Sequence, residues 1–432
     1  MEENANQPEN ADPDGGGDHE LDIDSDSDEN SMMGHDILIA EGPELLEAAR
    51  ESSDSDDNEE EQTFDISLAA SHSYMGPGLV AVSGRRVLEP GWTGRVPAAA
   101  HHGAVFPGET VPMLLPNPAD SAALQAIQKE RLFGLLCPDE TGTVVSGYGV
   151  LCEVFECGAR EARQPLTLKA RAHHRFRLVH APAHAAPVHV YSRMRFVEVR
   201  VLPEVELGEP LRAARLASLD PHRRPREPQL DRRLRCMDAA VTPWPLFVYD
   251  MFDYTRVRRD IASYFATLNL DKLPEDPVSL SFWVASNLAL SARDRLALFA
   301  VDNALLRLHM ELRLIARKSV LCCSACMTEI ARREHIFPMS SEGVHSNYTN
   351  LGGYMHDIVT VSAASVALDG APSAEYSWFP GYTWTIALCA TCTHHVGWRF
   401  DAMKARLRPT QFFALCRNSV QPRAGDERDA AL

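Results

Sequence analysis

Apolar residues along the first half of the chain follow the two-residue repeat of β-strands. Short apolar runs between residues 111 and 202 end at glycine or proline, and Val197-Glu-Val-Arg-Val alternates apolar and charged positions. Such alternation is typical of a strand with one buried face. A helical pattern over residues 119–130 interrupts the strands, which predicts a small β-rich domain with one helix. The predicted strands cover residues 111–116, 132–136, 148–156, 166–172, 176–180, 188–191 and 195–202.

The middle of the chain changes to the helical repeat. Residues 246–268 predict one helix, and residues 291–317 predict a clearer one that opens with Ser291 and Asp294 in the arrangement of a capping box. The apolar face of the clearer helix consists of Leu298, Val301, Leu305, Leu308, Leu312 and Ile315. Because this face spans only about three heptads, it indicates a helix packed on its own domain rather than a coiled coil. The Arg- and Pro-rich residues 208–235 are predicted to be irregular.

The strand pattern returns beyond residue 318. Residues 358–362, 382–387 and 396–400 are rich in β-branched and aromatic side chains, which favour strands. The chain is therefore predicted to be an α+β protein, in which a helical part separates two β-rich parts.

Charge is unevenly distributed along the chain. The first 62 residues contain 23 Asp or Glu against one basic residue, Arg50, whereas the remainder has four more basic than acidic residues. A segment this acidic and this poor in aromatic residues cannot bury enough apolar surface to offset its ordering entropy, so residues 1–62 are predicted to be disordered. The nearly neutral remainder has no strong basic patch, which argues against direct binding of nucleic acid.

The sequence also bears on the cellular compartment. No apolar run reaches eighteen residues, so no membrane-spanning segment is predicted, and the first residues lack the basic and apolar regions of a signal peptide. We therefore expect a protein of the cytoplasm and nucleus. Its ten cysteines are then reduced, and their chemistry favours zinc over disulfides.

Two Cys-x-x-Cys pairs, Cys323–Cys326 and Cys389–Cys392, carry the spacing of a metal site. Each spacing lets one tight turn direct two thiolates at one ion, and two such turns complete a tetrahedral shell of four sulfurs. All four positions are then protein ligands, which predicts one structural Zn²⁺ and no catalytic one. His394 and His395 are better explained as strand or turn residues. A single four-ligand set excludes a RING domain, which binds two zinc ions.

Half of the chain's six tryptophans, Trp378, Trp384 and Trp398, fall within 21 residues. Trp378 and Trp384 flank a Pro380-Gly381 turn, and Trp398 shares one face of a predicted strand with Phe400. Two interpretations stay open from spacing alone. The rings form either the core of a small domain or an aromatic cage, which would suit a flat compact ring or a methylated ammonium.

The same part of the chain resembles the cereblon family. The segments that carry the resemblance are Cys323-Ser-Ala-Cys326, Gly353-Tyr-Met-His-Asp357, Ser377-Trp-Phe-Pro-Gly-Tyr-Thr-Trp384, Cys389-Ala-Thr-Cys392 and His395-Val-Gly-Trp-Arg-Phe400. Further matching segments upstream are Phe64–Gly76, Phe106–Met113, Trp244-Pro245 and Tyr249–Asp253. The resemblance thus covers the chain from Phe64 to Val420.

The resemblance implies an architecture and a function. It implies an acidic tail over residues 1–62, a Lon N-terminal-like domain over residues 77–317 with a helical adaptor-binding segment at 236–317, and a zinc-pinned β-tent (CULT) domain over residues 318–425. The implied protein is a non-catalytic substrate receptor of a cullin-4 RING ubiquitin ligase, which presents substrates for ubiquitination and proteasomal degradation. Its partner is a β-propeller adaptor, the damage-specific DNA-binding protein.

In the family, a tryptophan pocket captures cyclic imides, such as glutarimide drugs of the thalidomide type and cyclised C-terminal Asn or Gln residues of substrates. The positions of this chain that match the pocket walls, its floor and a lid residue are Trp378, Trp384, Trp398, Phe400 and Asn350.

Backbone groups of Tyr376 and Trp378 are implied to bind the imide. Two positions depart from the family's pattern. Tyr376 stands where the family has a histidine, and Leu351-Gly352 replaces a Pro-His pair in the lid. If only the backbone carbonyl of Tyr376 binds, its side chain is compatible with the pocket.

Other functions fit parts of the pattern. Methionine sulfoxide reductases of the B type also have a zinc-pinned β domain, and Cys416-Arg-Asn-Ser419 resembles the context of their attacking cysteine. A methyl-lysine reader would use the same cage, but no acidic residue lies between Trp378 and Trp384. A Lon-like protease is excluded because none of the five lysines follows a glycine, so the chain contains no Walker A loop.

Overall fold

A computed structural model of the chain describes residues 61–84, 87–115, 121–158, 166–180, 186–222, 228–317 and 319–424. The acidic segment that is predicted to be disordered, residues 1–62, lies outside these ranges except for its last two residues. The described part confirms the α+β class. None of the described helices combines the length and the apolar character that a bilayer crossing requires.

The strands are β1 Gln62–Thr63, β2 Leu79–Ala81, β3 Thr93–Ala100, β4 Thr110–Leu115, β5 Leu132–Pro138, β6 Val145–Gly158, β7 Leu166–Leu178, β8 Arg195–Val201, β9 Ser319–Cys323, β10 Glu329–Arg332, β11 His345–Thr349, β12 Met355–Val361, β13 Val366–Ser373, β14 Tyr382–Cys389, β15 His395–Ala402, β16 Leu407–Arg408, β17 Gln411–Cys416 and β18 Val420–Ala424. The α-helices are α1 Ile66–Ala70, α2 Ser121–Glu130, α3 Leu211–Ala214, α4 Pro228–Ala240, α5 Leu246–Asp250, α6 Tyr254–Ala266, α7 Pro277–Asn287, α8 Ala292–Phe299 and α9 Ala304–Ile315.

The first β-rich part closes into a barrel. Its strands pair in the order β6-β5-β3-β8-β7, and β7 pairs back with β6, while β2 and β4 extend the sheet along β6 and β7. The alternation predicted for β8 is observed, since Val199 and Val201 are buried and Glu198 and Arg200 are exposed. Helix α2 connects β4 to β5 as the sequence indicates.

Two strand predictions for the barrel differ from the structure. The segments 166–172 and 176–180 are joined in one strand, β7, which ends at Leu178, because β6 pairs with it from Leu168 to Arg177 across the predicted gap. Residues 188–191 form a 3₁₀ turn instead of a strand, in which the Val190 N–H donates to the Pro187 carbonyl at 3.0 Å. Proline at position 187 favours the start of a turn, which outweighs the β-propensity of the two valines.

Each of the two long predicted helices is interrupted in the structure by a side chain that caps a new helix, so both predictions of one continuous helix are wrong. The segment 246–268 divides at Asp253, whose carboxylate accepts the Arg256 N–H at 3.1 Å and starts α6. The segment 291–317 divides at Asn303, whose side chain accepts the Leu306 N–H at 2.8 Å and starts α9. Asp and Asn compete with the helical backbone in this way. The predicted cap at Ser291 is confirmed, since its Oγ accepts the Asp294 N–H at 3.1 Å.

The Arg- and Pro-rich segment is less irregular than predicted. Helix α4 begins at Pro228, inside the segment 208–235, and α3 lies at its start. Proline is favoured at the first position of a helix because the N–H that it lacks would have no helical partner. The described residues thus place helices α3 to α9 between the two β-rich parts.

The second β-rich part contains a large and a small sheet. Within the described residues, the large sheet has the order β11-β12-β17-β15-β14-β13 and the small one the order β10-β9-β18. The large sheet contacts the barrel through β11. Its Asn347 Nδ2 donates to the Thr110 carbonyl at 3.1 Å, and Thr349 Oγ1 donates to the Pro112 carbonyl at 2.6 Å.

Residues 61–75 lie against both β-rich parts. Strand β1 pairs in parallel with β16, and the buried ring of Phe64 packs edge-to-face on Tyr382 with centroids 5.5 Å apart. From the barrel, Lys169 Nζ donates to the Ser71 carbonyl at 2.6 Å. This segment therefore belongs to the folded body, although it follows directly on the acidic residues.

Candidate functional site

The two Cys-x-x-Cys turns have the same backbone geometry. In the first, the Cys323 N–H donates to the Thr328 carbonyl, and the Met327 N–H donates back to the Cys323 carbonyl, both at 2.9 Å. In the second, Cys389 bonds in the same way with His394 and Thr393, at 2.8 and 2.9 Å. Met327 and Thr393 both have left-handed backbone angles, φ 63° and 59°. Each turn thus directs its two thiolates to one side.

The four thiolates converge on one point. All Sγ atoms of Cys323, Cys326, Cys389 and Cys392 lie within 4.8 Å of one another, with 3.7 Å between Cys323 and Cys392 and 3.5 Å between Cys326 and Cys389. A tetrahedral zinc with Zn–S bonds of about 2.3 Å requires Sγ atoms roughly 3.8 Å apart. The donor set therefore fits one structural Zn²⁺, which ties β9 of the small sheet to the β14–β15 turn of the large one.

Strand register places two of the tryptophans on one face of the large sheet. Trp384 of β14 lies directly opposite Phe400 of β15, and Trp398 lies opposite Ile386. Trp398 and Phe400 are two residues apart on β15 and therefore share a face, and Phe400 lies opposite Trp384. Trp384 and Trp398 are thus diagonal neighbours on that face, with Phe400 beside both. Phe400 is buried and stacks on Phe412 of β17 with centroids 5.1 Å apart. It forms the apolar floor between the two indoles.

Trp378 reaches this face from the loop before β14. Its indole meets that of Trp398 edge-to-face, with centroids 4.8 Å apart and planes at 75°. On its other side it stacks on Tyr348 of β11 at 5.2 Å. Its Nε1–H donates to the Thr349 carbonyl at 3.2 Å, and the Nε1–H of Trp384 donates to the Glu375 carbonyl at 2.8 Å. These bonds hold two of the rings in fixed orientations.

Tyr376 is held by a residue that is remote in sequence. Its ring packs edge-to-face on Tyr74, with centroids 5.1 Å apart, and its backbone is left-handed with φ 53°. Tyr74 in turn accepts the Thr349 N–H on its hydroxyl at 3.0 Å. The segment of residues 61–75 thus supports the loop that carries Tyr376 and Trp378.

Two backbone groups of this loop have no partner. Within the part of the chain that the structure describes, neither the Tyr376 carbonyl oxygen nor the Trp378 amide N–H takes part in a hydrogen bond. Backbone groups in folded proteins are nearly always paired with protein or water. An acceptor and a donor two residues apart, beside the indoles, are therefore open to a ligand.

Asn350 belongs to the turn between β11 and β12. Its Oδ1 accepts the Tyr354 N–H at 2.9 Å, and its carbonyl accepts the Gly353 N–H at 3.0 Å. Gly353 has φ 80°, which suits glycine. The neighbouring Leu351 side chain is 59% exposed, so this apolar group faces solvent.

Sequence reasoning missed the histidines beside Trp398. The rings of His356 and His395 both meet its indole edge-to-face, with centroids 4.9 and 4.8 Å away. Burial lowers the pKa of His356 to about 4, so that the ring is neutral at pH 7. The sequence position of His395 points at most to the zinc turn, and no spacing relates His356 to Trp398. The tertiary structure brings both rings to the tryptophan.

Cys416 has the properties of a core thiol. It is buried, burial raises its pKa, and the nearby Asp357 carboxylate raises it further. A nucleophilic cysteine requires a lowered pKa and access to substrate. The geometry therefore argues against the methionine sulfoxide reductase interpretation.

Two protein families match the chain, one over the barrel and the helical part and the other over the second β-rich part. Residues 96–317 match the family described as the ATP-dependent protease La (LON) substrate-binding domain. Residues 319–430 match the family described as Yippee zinc-binding/DNA-binding/Mis18, centromere assembly. A solved Lon N-terminal domain protein from Xanthomonas campestris aligns with 51% of this chain and 98% of its own, at 17% identity and a TM-score of 0.30.

Similarity over the whole length decides the family. Protein cereblon of Danio rerio is 31% identical over 424 residues, which cover 90% of this chain and 96% of that protein. The chain belongs to the cereblon family. Cereblon of Xenopus tropicalis is also 31% identical, over 90% of this chain and 91% of its own length. The match to cereblon of Drosophila virilis covers 86% of this chain but only 59% of that protein.

Membership of the cereblon family agrees with the zinc site. The four clustered cysteines lie inside the segment that matches the Yippee zinc-binding family, and their geometry fits one ion. The Lon-type and zinc-binding matches meet at the same place in the chain where α9 ends and β9 begins.

Proposed function

We propose that this chain is the non-catalytic substrate receptor of a cullin-4 RING ubiquitin ligase in the cytoplasm and nucleus, and that its tryptophan site captures cyclic imides. In this proposal, residues 77–317 form the Lon-like domain with the adaptor-binding segment 236–317, and residues 318–425 form the CULT domain. Family membership supports the receptor role. The unpaired Tyr376 carbonyl and Trp378 N–H are the observation that supports the ligand class.

The tryptophan site and a cyclic imide are complementary in shape. The backbone positions of diagonal neighbours such as Trp384 and Trp398 lie about 7–8 Å apart in a sheet. A flat ring that is in van der Waals contact with an indole on each side needs a similar separation, about 7–8 Å between the two indole planes. Phe400 gives this space an apolar floor, and Trp378 adds a third side. A flat, uncharged ring can therefore enter without leaving its faces in water.

The site and the imide are also complementary in hydrogen bonding. A glutarimide has an N–H between two carbonyls, so its N–H can donate to the Tyr376 carbonyl while one carbonyl accepts the Trp378 N–H. Pairing two otherwise unsatisfied groups contributes about 1 kcal/mol each. A trimethylated lysine has no such donor, and no acidic residue lies between Trp378 and Trp384 to neutralise its charge. The imide is therefore the better ligand.

Calorimetry on the full chain tests this ligand. Glutarimide is expected to bind the wild type, to bind Trp384→Ala at least tenfold more weakly, and to bind Trp244→Ala as the wild type does. Trp244 is a matched control because it is an exposed tryptophan of the helical part. N-methylglutarimide, which lacks the N–H, should bind weakly. Equal affinity for wild type and Trp384→Ala, or tighter binding of a trimethyl-lysine peptide, contradicts the proposal.

An exposed apolar surface on the helical part supports an adaptor contact. Its side chains, on α4, α5 and the residues beside them, are between 52% and 68% exposed: Met237, Val241, Trp244, Phe247 and Met251. Exposed apolar patches on soluble proteins commonly mark interfaces, and large aromatic side chains dominate their binding energy. We assign this patch to the β-propeller adaptor.

Binding to the purified adaptor tests the patch. Phe247→Asp introduces a charge into its centre, and this should lower affinity at least tenfold without changing the melting temperature. Val80→Asp on the barrel changes an equally exposed side chain and should bind the adaptor normally. Unchanged binding of Phe247→Asp places the adaptor elsewhere on the chain.

A further inference from the structure

A cavity of about 260 Å³ lies between the barrel, α8 and the large sheet. The barrel contributes the loop from His101 to Ala104, α8 contributes Ala292 and Arg295, and the sheet contributes residues from β12, β15 and the turn after β17. The cavity reaches the surface, since Ala292 in its lining is exposed. A cavity of about 150 Å³ is enough to hold benzene, so this one can take a substituted ring.

Three imidazoles in the lining each leave one buried nitrogen without a partner. They belong to His101, His356 and His395, and in each case the nitrogen is Nε2. Burial lowers the pKa of all three rings, that of His101 and His356 to about 4, so they are uncharged at pH 7. Unpaired buried polar atoms are costly unless water or a ligand satisfies them.

The other contacts of these rings indicate what each Nε2 offers. His101 Nδ1 lies 2.9 Å from the Gly103 carbonyl and 3.2 Å from the Gly103 amide nitrogen, so both tautomers of this ring find a partner at Nδ1. His356 Nδ1 lies 4.0 Å from the Cys416 sulfur. The Nε2 atom of a neutral imidazole donates in one tautomer and accepts in the other, so the three unpaired Nε2 atoms suit a partner with both donors and acceptors.

The charged side chains in the lining neutralise one another. Arg295 Nη1 and Arg417 Nη1 approach the same Asp357 oxygen at 3.1 and 3.3 Å. Glu109, outside the lining, lies 3.8 Å from Arg295 Nη2, and Asp139 lies at the edge of the cavity. Each of the two arginines thus has a carboxylate within ion-pair distance, although among the described residues Nη1 of neither makes a hydrogen bond.

We propose that this cavity is a second binding site, for an uncharged planar ring that carries hydrogen-bond donors and acceptors on its edge. The site is distinct from the tryptophan site and does not depend on its proposed function. The two share a wall, because the rings of His356 and His395 line the cavity and also contact Trp398. A ligand here contacts the barrel, the helical part and the zinc-bearing part together.

Three isosteric probes test the charge preference. Benzamide is neutral and carries a donor and an acceptor, whereas benzoate is an anion and benzamidine a cation of the same shape. In titrations of the full chain followed by saturation-transfer NMR, benzamide should bind with a dissociation constant of about 1 mM, a reasonable value for a ligand of about nine heavy atoms. Benzoate and benzamidine should bind at least threefold more weakly. Absence of benzamide binding, or equal binding of a charged probe, overturns the proposal.

Two variants on one helix locate the site. Ala292→Trp fills the mouth of the cavity and should weaken benzamide at least tenfold, whereas Ala297→Trp, also exposed on α8 but outside the lining, should not. If circular dichroism shows that Ala292→Trp is misfolded, His101→Phe, which keeps a ring but removes the unpaired Nε2, should weaken benzamide instead. Trp384→Ala should leave benzamide affinity unchanged. Binding that survives in the folded cavity variant, or is lost in Trp384→Ala, refutes the assignment.

Discussion

Replacement of Arg175 by methionine removes the most extensively bonded side chain at the junction of the barrel and the helical part. Its guanidinium is fully buried and donates to Glu204 Oε1 at 2.6 Å, the Phe299 carbonyl at 2.6 Å, the Pro203 carbonyl at 2.9 Å and Asp302 Oδ1 at 3.0 Å. Without it, the Glu204 carboxylate, whose pKa burial already raises, loses one of its two arginine partners.

The expected cost follows from the groups that are left behind. Leaving a buried polar group without its partner costs about 1–3 kcal/mol. The Phe299 and Pro203 carbonyls lose their donor, and Glu204 keeps only Arg307 of its two arginine partners, so a total cost of about 3–5 kcal/mol is expected. For a folded unit of about 200 residues, this corresponds to a fall in melting temperature of roughly 6–20 °C. Methionine fills much of the same volume, so the loss reports on polar contacts rather than on a cavity.

Calorimetric melting curves of two variants provide the measurement. Arg177 lies two residues further along β7 and is exposed, so Arg177→Met changes the same chemical group without the buried contacts. It should melt within about 2 °C of the wild type, as most surface substitutions do. If Arg175→Met melts no lower than Arg177→Met, the buried network does not stabilise the junction and the reasoning fails.

Three other predictions concern the zinc site and a buried histidine. Cys326→Ser should lose the one zinc per chain measured by mass spectrometry, whereas Cys322→Ala, the buried neighbour that is not a ligand, should retain it. Met327→Gly removes the strain of a side chain at a left-handed backbone position and should raise the free energy of unfolding, measured in urea titrations, by about 1 kcal/mol. A lower free energy of unfolding in the variant contradicts this. Burial lowers the pKa of His72 to about 3 in the folded chain, below its unfolded value of 6.5. The folded state therefore binds fewer protons, and stability should fall by about 2 kcal/mol between pH 6.5 and 5. His72→Asn should show a smaller fall over that range, and an identical one refutes the assignment.

Local chemistry explains what could be predicted from the sequence. The Cys-x-x-Cys spacing defines a zinc turn within six residues, and the period-two pattern correctly indicates that Trp398 and Phe400 share a face. The cap at Ser291 is likewise a contact over three residues. The helix starts at Asp253 and Asn303 are harder to predict, because either residue can also occupy the interior of a helix. Only the hydrogen bond from the backbone N–H three residues on to its side chain identifies each as a cap.

The sequence by itself therefore determined the α+β class, the zinc ligands and the tryptophan cluster, which all depend on residues close together in the chain. Only the tertiary structure decided what surrounds them. Tyr74 supports Tyr376 across three hundred residues, Arg175 is buried with its guanidinium bonded to Phe299 and Asp302 near the connection between α8 and α9, and a cavity forms where three separate parts meet. Such contacts depend on how surfaces far apart in sequence pack, and no local pattern records that packing.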